Sequence, residues 1–373
     1  MNGVTGRMGY RQHLVGSILA IRAQGGVPLP GGGVAWPEPV LVGRDPAKLS
    51  AIAEQHGLEH WTTSLDEALA DAGTEIYFDA QTTPLRAAAV RAALDSGKHV
   101  YTEKPLAGSL AEAMQLVRLA RAAGLRGGVV QDKLFLPGLI TLRRLVGDGV
   151  LGRILSVRGE FGYWVFDGQQ RAAQRPSWNY RADKGGGIIL DMFPHWRYVL
   201  DQIVAPVRSV YATGATHIPA RYDESGRRYD VTADDAAYAV FELDGGVVAQ
   251  VNSSWAVRVN RDELVEFQVD GTEGSAVAGL RECRIQLGGA TPRPVWDPDT
   301  PPGQDFRSQW QLVAADVTRG CFMAQWELFL EHVVTGAPFR HDLLSGAEGV
   351  QLAELGLQSW RQGRRIDVPA LQP

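Results

Sequence analysis

Two short segments carry the side chains best suited to chemistry. In Thr102-Glu103-Lys104-Pro105 an ammonium sits on an extended backbone, because the following proline disfavours the helical region for Lys104. In Gly185-Gly186-Gly187-Ile188-Ile189-Leu190-Asp191-Met192-Phe193-Pro194-His195, three glycines lead into a helix on which Asp191 and His195 stand four apart, so both side chains lie on one face. An imidazole, with an unperturbed pKa of about 6.5, can remove a proton from a hydroxyl near neutrality. An ammonium can hydrogen-bond the same oxygen and stabilise a developing alkoxide. A carboxylate beside them can bind the substrate or hold the polar network in place. Neither segment decides the matter alone: an isolated Glu-Lys-Pro is common, and an Asp/His pair at this spacing also fits a satisfied surface pair. Pro194 is awkward in a helix interior and implies a kink or a start close to Asp191.

A third segment, Gly3-Val4-Thr5-Gly6-Arg7-Met8-Gly9, stands directly before the first helical pattern. Glycines three apart allow a tight turn and bring backbone N–H groups close to a pyrophosphate at a helix N-terminus. An ordinary glycine turn is the competing reading. Only Met1 and Asn2 precede Gly3, so the first strand that should feed such a loop looks truncated, and we expect the true start upstream, with Met1 internal. The next strand ends in Val42-Gly43-Arg44-Asp45-Pro46. NAD-binding sheets usually place a carboxylate at this end for the ribose 2′-hydroxyl, and here the position is Gly43 followed by a cation. Arg44 at a 2′-phosphate favours NADP; Asp45 turned inward would favour NAD, and Arg44 could also be a solvated surface residue.

The surrounding pattern supplies elements to position these groups. Gln12 to Ala23 places Leu14, Ile18, Leu19 and Ile21 on an amphipathic helix; Val40-Leu41-Val42 reads as a strand and Pro46 to His56 as a helix. Glu75 to Ala80 and His99-Val100-Tyr101 read as strands, Leu85 to Ser96 and Leu110 to Ala123 as helices, with Val129-Val130 after a glycine-rich stretch. Strands separated by helices imply a parallel sheet covered on both faces. Farther along, the strands lengthen and alternate: Ile154 to Gly159, Val207 to Ala212, Ala236 to Leu243, Val247 to Ser253 and Leu264 to Asp270, with turn chemistry at Asp244-Gly245-Gly246 and at 270 to 275. That describes a mainly antiparallel sheet with one exposed face. Helices over Ala324 to Thr335 and Ser345 to Arg361 close the chain, and residues 24 to 39 and 289 to 305 are Gly/Pro-rich and Pro-rich loops. At 373 residues the chain exceeds what one core usually supports. We read two domains, α/β over residues 1–126 and α+β over 127–373.

Composition narrows the function classes. The formal charge of −5 has no block of like charge to track a phosphate backbone, which argues against nucleic acid. No apolar run approaches the roughly 20 residues that span a bilayer, and the N-terminus lacks a secretory layout, so a cytoplasmic protein is expected. Cys283 and Cys321, without His or Cys at ligand spacing, read as small hydrophobes, and no metal site is expected.

The glycine loop, Thr83-Pro84, Ala93-Leu94 with Gly97-Lys98-His99-Val100, and Glu103-Lys104-Pro105 together resemble the Gfo/Idh/MocA family, the glucose–fructose oxidoreductase and inositol dehydrogenase relatives. The likeness continues through Gly185 to His195, an Asp-x-x-x-His segment after glycines, and Val269 to Ser275, a Gly-Thr-x-Gly-Ser turn. It implies a Rossmann domain joined to an open-faced α/β domain. It also implies catalytic positions at Lys104, Asp191 and His195, and nicotinamide-dinucleotide contacts at Gly3, Gly6, Arg7, Met8, Gly9, Arg44, Thr82, Thr83, Pro84, Glu103 and Lys104. The family usually carries a histidine near residue 86, where this chain has Arg86, and that departure bears on any transfer of substrate preference.

On this reading a substrate carbinol gives hydride to nicotinamide C4 while His195 takes the hydroxyl proton and Lys104 stabilises the alkoxide. Lys104 comes from one domain and Asp191/His195 from the other, so the expected site is a cleft between them. Lys133, Trp164, Trp178, Tyr180, Arg181 and His217 are candidate substrate contacts, with Gln131, Tyr163, Phe166 and Asn179 near them; aromatic residues of this kind are as often core. The expected substrate is a secondary alcohol or ketone of a sugar, polyol or glycoside. A redox-assisted glycosidase, which oxidises transiently and eliminates an aglycone, and a non-catalytic dinucleotide sensor are the alternatives. The exposed sheet face suggests a homodimer or homotetramer.

Overall fold

A computed structural model of the chain describes residues 1–260, 262–291, 297–299, 303, 306–315 and 319–372. The Pro-rich stretch expected at 289 to 305 lies largely outside the described residues. The chain forms two compact units: Met1–Phe135 with Arg319–Glu354 and Ala370–Pro373, and Leu136–Thr318 with Leu355–Pro369. A boundary at residue 126 is therefore corrected. Gly127–Val129 pairs in parallel with His99–Thr102, so the first unit cannot end before it.

In the first unit the strands Ile76–Asp79, His99–Thr102 and Gly127–Val129 run parallel, and Leu41–Val42 pairs in parallel with Trp61–Thr62. Met1 and Asn2 fill the place between these two ladders: Val42 N donates to Met1 O at 2.9 Å, Asn2 N to Phe78 O at 2.8 Å and Ala80 N to Asn2 O at 2.9 Å. Helices Pro46–His56, Thr83–Asp95 and Leu110–Ala122 follow their strands. Each begins where a turn residue precedes a run of helix formers; Ser109 caps Leu110–Ala122 by accepting the Glu112 N–H.

The first helix departs from expectation. It begins at Met8 instead of Gln12 and is wound as a π-helix to Leu19, continuing as α-helix over Ala20–Ala23. Its buried residues Gly9, His13, Leu14, Ser17 and Ile18 recur four to five apart, wider than an α-helical stripe. Segment Arg319–Glu354 belongs to this unit because Trp326 and Phe329, both buried, pack on Phe78 and Tyr101; Tyr101 stacks on Phe329 at 4.6 Å. Burying one such aromatic side chain contributes about 1.5–3 kcal/mol, which is what holds so distant a stretch of chain to this sheet.

The second unit is a nine-stranded sheet in the order Gln311–Val313, Cys283–Leu287, Gly274–Ala278, Val265–Gly271, Ile154–Phe161, Val248–Ser254, Ala236–Leu243, Val207–Ala215 and Ile366–Asp367. All neighbours are antiparallel except Val248–Ser254 with Ile154–Phe161. Helix Ile188–Ile203 packs on one face, with Trp196 against Phe161 and Phe267 and Phe193 against Phe241. Trp196 also donates its indole N–H to Ser253 Oγ at 3.0 Å. The alternate residues Leu155, Tyr211, Tyr238, Val240 and Val248 are exposed, so one face is left open.

Candidate active site

The glycine loop is built as a tight turn. Gly3 has φ +84°, and a Cβ there would stand 2.8 Å from the Ala80 backbone; a Cβ on Gly9 would meet Gly3 O at 2.4 Å. Gly6 N donates to Gly3 O at 3.0 Å, and the turn delivers the chain to the helix N-terminus at Met8, with Arg7 exposed. A backbone this close, ending at a helix start, fits a dinucleotide pyrophosphate. Thr82 precedes helix Thr83–Asp95, and Pro84 occupies its first turn. Gly43 is buried and Arg44 exposed. Asp45 caps helix Pro46–His56, its Oδ1 accepting the Lys48 N–H at 3.2 Å, and that bond is the leading cause holding its carboxyl below the ordinary range.

Lys104 is half-buried at the end of strand His99–Thr102, and its peptide bond to Pro105 is cis. Its neighbour Glu103 is buried and accepts the Lys104 N–H on Oε2 at 3.2 Å. The other oxygen meets His13 Nε2 at 2.8 Å. His13 Nδ1 accepts from the Trp326 indole N–H at 3.0 Å, and because that indole can only donate, the His13 proton sits on Nε2, directed at Glu103. Burial by itself would raise the Glu103 carboxyl, but this hydrogen bond and the charges of Arg86 and Lys104 hold it below its usual value. Lys133 is buried beside Asp132, 3.4 Å from its carboxylate, and Gln131 accepts from His341 on Oε1 at 2.7 Å and donates to Ser345 Oγ at 2.9 Å.

In the second unit the Gly185 to His195 segment shows why it is glycine-rich. A Cβ on Gly186 would stand 2.4 Å from Asn179 O, and Gly187 has φ +128°, outside the range of L side chains. Helix Ile188–Ile203 starts there, three residues before Asp191, and carries Pro194 in its interior. Asp191 therefore falls in the first turn, where a carboxylate suits the helix dipole. His195, one turn on, is 5% exposed, and its Nδ1 lies 2.6 Å from Tyr198 Oη.

Asp234 secures the same helix start: its Oδ2 accepts the Ile189 N–H at 2.8 Å and its carbonyl the Ile188 N–H at 3.0 Å. Burial pushes the Asp234 carboxyl up to about 6, against the pull of these N–H groups and helped by the nearby Asp235 charge. A native pKa above the unfolded value means that the folded state holds the extra proton. The stabilisation is then complete below about pH 4 and lost as pH rises through about 6. Asp234→Asn keeps an oxygen acceptor and removes the titration, so the fall in Tm between pH 4 and 6 should flatten in a thermal melt series; an unchanged slope would refute the assignment.

The remaining candidates separate. Trp164 is exposed and Trp178 half-buried, with Tyr163 near Trp164. Tyr180 is a core residue, fully buried, its hydroxyl donating to Phe166 O at 2.8 Å beneath the Arg221 guanidinium. The Arg181 guanidinium lies over the Tyr229 ring at 4.4 Å. His217 pairs with Tyr238 Oη at 3.0 Å on the open face of the sheet, opposite helix Ile188–Ile203. Asp191 meets Arg175 at 3.0 Å, an arginine held by Asn179 Oδ1 at 3.1 Å and stacked 4.6 Å over Trp255. Sequence gave no sign of it, because Arg171, Arg175 and Arg181 stand in one irregular stretch. Among the described residues no group of three His, Cys, Asp or Glu could hold a metal ion, and no helix is long and apolar enough to cross a membrane.

Comparison with known proteins agrees with this layout. Residues 39–130 match the sequence model of an oxidoreductase family with an NAD-binding Rossmann fold, and residues 139–277 match the GFO/IDH/MocA C-terminal domain. The chain is 58% identical over 377 residues to a D-xylose dehydrogenase of Paenarthrobacter nicotinovorans, covering 100% of this chain and 97% of the relative. A levoglucosan dehydrogenase of Pseudarthrobacter phenanthrenivorans is 25% identical over 262 residues, 65% of this chain and 66% of the relative. In fold, the chain is similar to a levoglucosan dehydrogenase solved with NADH and L-sorbose, with a TM-score of 0.81 at 22% identity over 99% of this chain and 98% of that one. With both domain models matched and a relative of that identity aligned end to end, the chain belongs to the GFO/IDH/MocA family of oxidoreductases.

Proposed function

We propose that this chain is a sugar dehydrogenase that oxidises a carbinol of an aldose such as D-xylose. The observation that carries this reading is the 58% identity to a D-xylose dehydrogenase over the whole chain. The site residues support it. Gly3, Gly6, Gly9 and the start of helix Met8–Leu19 would hold the dinucleotide pyrophosphate, with Thr82, Thr83 and Pro84 beside it. When bound, the nicotinamide accepts the hydride. His195 removes the hydroxyl proton, its ring held by Tyr198, whose Oη lies 2.6 Å from Nδ1. Lys104 donates to the same oxygen and stabilises the alkoxide. Asp191, fixed by Arg175, orders the polar groups around it.

The finer reading of the coenzyme is NADP. Gly43 offers no carboxylate to a ribose 2′-hydroxyl, Asp45 is occupied as a helix cap, and exposed Arg44 is suited to a 2′-phosphate. A panel of aldoses and polyols with NAD+ and NADP+, followed at 340 nm, tests both points. Reduced coenzyme should accumulate with an aldose, and Arg44→Ala should weaken NADP+ about 10-fold, the value of one charge-assisted contact, while sparing NAD+. Equal weakening of both coenzymes would overturn the NADP assignment, and no absorbance change with any sugar would overturn the activity.

A further inference from the structure

Arg86 is 3% exposed, and each of its three nitrogens has its own acceptor. Nε donates to Asp79 Oδ1 at 3.0 Å, Nη2 to Gln81 O at 2.6 Å and Nη1 to Pro105 O at 2.5 Å. Asp79 is fully buried and is itself fixed, accepting from the Tyr77 hydroxyl at 2.7 Å and from Gln81 N at 3.0 Å; Tyr77 in turn accepts from Asn2 at 2.9 Å. Withdrawing such a pair from water is costly, and apolar residues of like volume often serve stability equally well. Stability alone therefore gives a weak account of this arginine, whereas its geometry gives a specific one. It links the end of strand Ile76–Asp79 to the carbonyl one residue beyond Lys104. The other side of Lys104 is anchored as well, its N–H accepted by Glu103, which His13 holds.

We propose that Arg86 is a positioning residue for Lys104: with Asp79 it fixes the main chain on the C-terminal side of the lysine, as the Glu103–His13 pair fixes it on the N-terminal side, so that the ammonium is delivered to one place. The inference rests on the alkoxide-stabilising role given to Lys104. A guanidinium suits this task because its planar fork presents N–H groups from three separate nitrogens to three separated acceptors, whereas an ammonium presents all of its donors from one atom. Misplacement of a reacting group by about 1 Å can cost about 100-fold in rate, so the effect that runs through Lys104 is read in kcat per coenzyme-binding site.

A double-mutant cycle in the full-length enzyme tests this, with kcat expressed per coenzyme-binding site and Tm recorded for each protein. Arg86→Met should lower kcat about 10- to 100-fold in the wild-type background and change it less than about 3-fold in the Lys104→Met background, because the group it positions is gone. Arg86→Lys retains a cation beside Asp79 and keeps the test valid if the methionine variant does not fold; it should show the same dependence on Lys104. Equal factors in both backgrounds, or a lowered Tm with unchanged kcat per site, would make Arg86 a purely structural residue and overturn the proposal. Loss of the Lys104 role would show itself separately, as full activity of Lys104→Met alone.

Discussion

Replacing His195 by alanine is expected to lower kcat about 100- to 10,000-fold while leaving the dissociation constant of the coenzyme nearly unchanged. The asymmetry follows from where the groups sit in the chain. His195 is held on helix Ile188–Ile203 in the second unit, whereas the glycine loop, Thr82 and Arg44 belong to the first. Removing the imidazole takes away the acceptor for the hydroxyl proton and touches nothing that would cradle a pyrophosphate. Because His195 is buried against Tyr198, alanine also leaves a space, so His195→Gln is the better partner variant: it keeps a polar group near Tyr198 and has no basicity. Both variants should lose kcat alike in steady-state assays and bind coenzyme alike in fluorescence titrations. Comparable losses in turnover and coenzyme affinity would remove His195 from the role of base.

The second large effect is expected at Lys104, where methionine keeps the length and apolar stem and deletes the charge. Removing a single donor to a developing oxyanion typically costs about 100- to 1,000-fold in kcat. The loss should appear in kcat and kcat/KM together, since the alkoxide exists only on the way to the transition state. Glu103 provides a check within the same variant. Lys104 is one of the charges that hold its carboxyl below the usual range, but burial, His13 and Arg86 also act on it, so Lys104→Met should leave the fold and Tm nearly intact. A variant that melts early and loses turnover only in proportion to unfolded protein would instead make Lys104 a structural cation.

Much of this was legible in the sequence where the signal is local. Strand Ala236–Leu243 was read at its full length because its inward and outward residues alternate, and the helix read over Leu110 to Ala123 runs Leu110–Ala122, its apolar residues recurring at helical spacing. What was missed depends on distant partners. Gly274 and Ser275 fell within the turn read at 270 to 275; Gly274–Ala278 is a strand because Val265–Gly271 and Cys283–Leu287 flank it. The return of Arg319–Glu354 to the first unit rests on Trp326 and Phe329 finding Phe78 and Tyr101, more than 200 residues away in sequence, which no periodicity encodes.

The site divides in the same way. Lys104, Asp191 and His195 are proposed from their motifs, while the need for glycine has a visible cause at 186 in the Asn179 backbone beside it and at 187 in its positive φ. Tyr180, by contrast, has the composition of a substrate contact and the environment of a core residue, because Arg221 and Trp255 enclose it. Arg175 and Arg86 show the converse. Both are surface-type residues by composition, and only the folded chain reveals that one meets Asp191 and the other Asp79 and the Pro105 carbonyl.

The reaction proposed for this chain is hydride transfer from a sugar carbon, with His195 taking the hydroxyl proton. Its most direct test is mass analysis of the reduced coenzyme formed by the purified enzyme from D-xylose deuterated at every carbon position. Each molecule of reduced coenzyme should carry one deuterium and form in equal amount to oxidised sugar; oxidised sugar without labelled reduced coenzyme, or reduced coenzyme free of deuterium, would rule this reaction out.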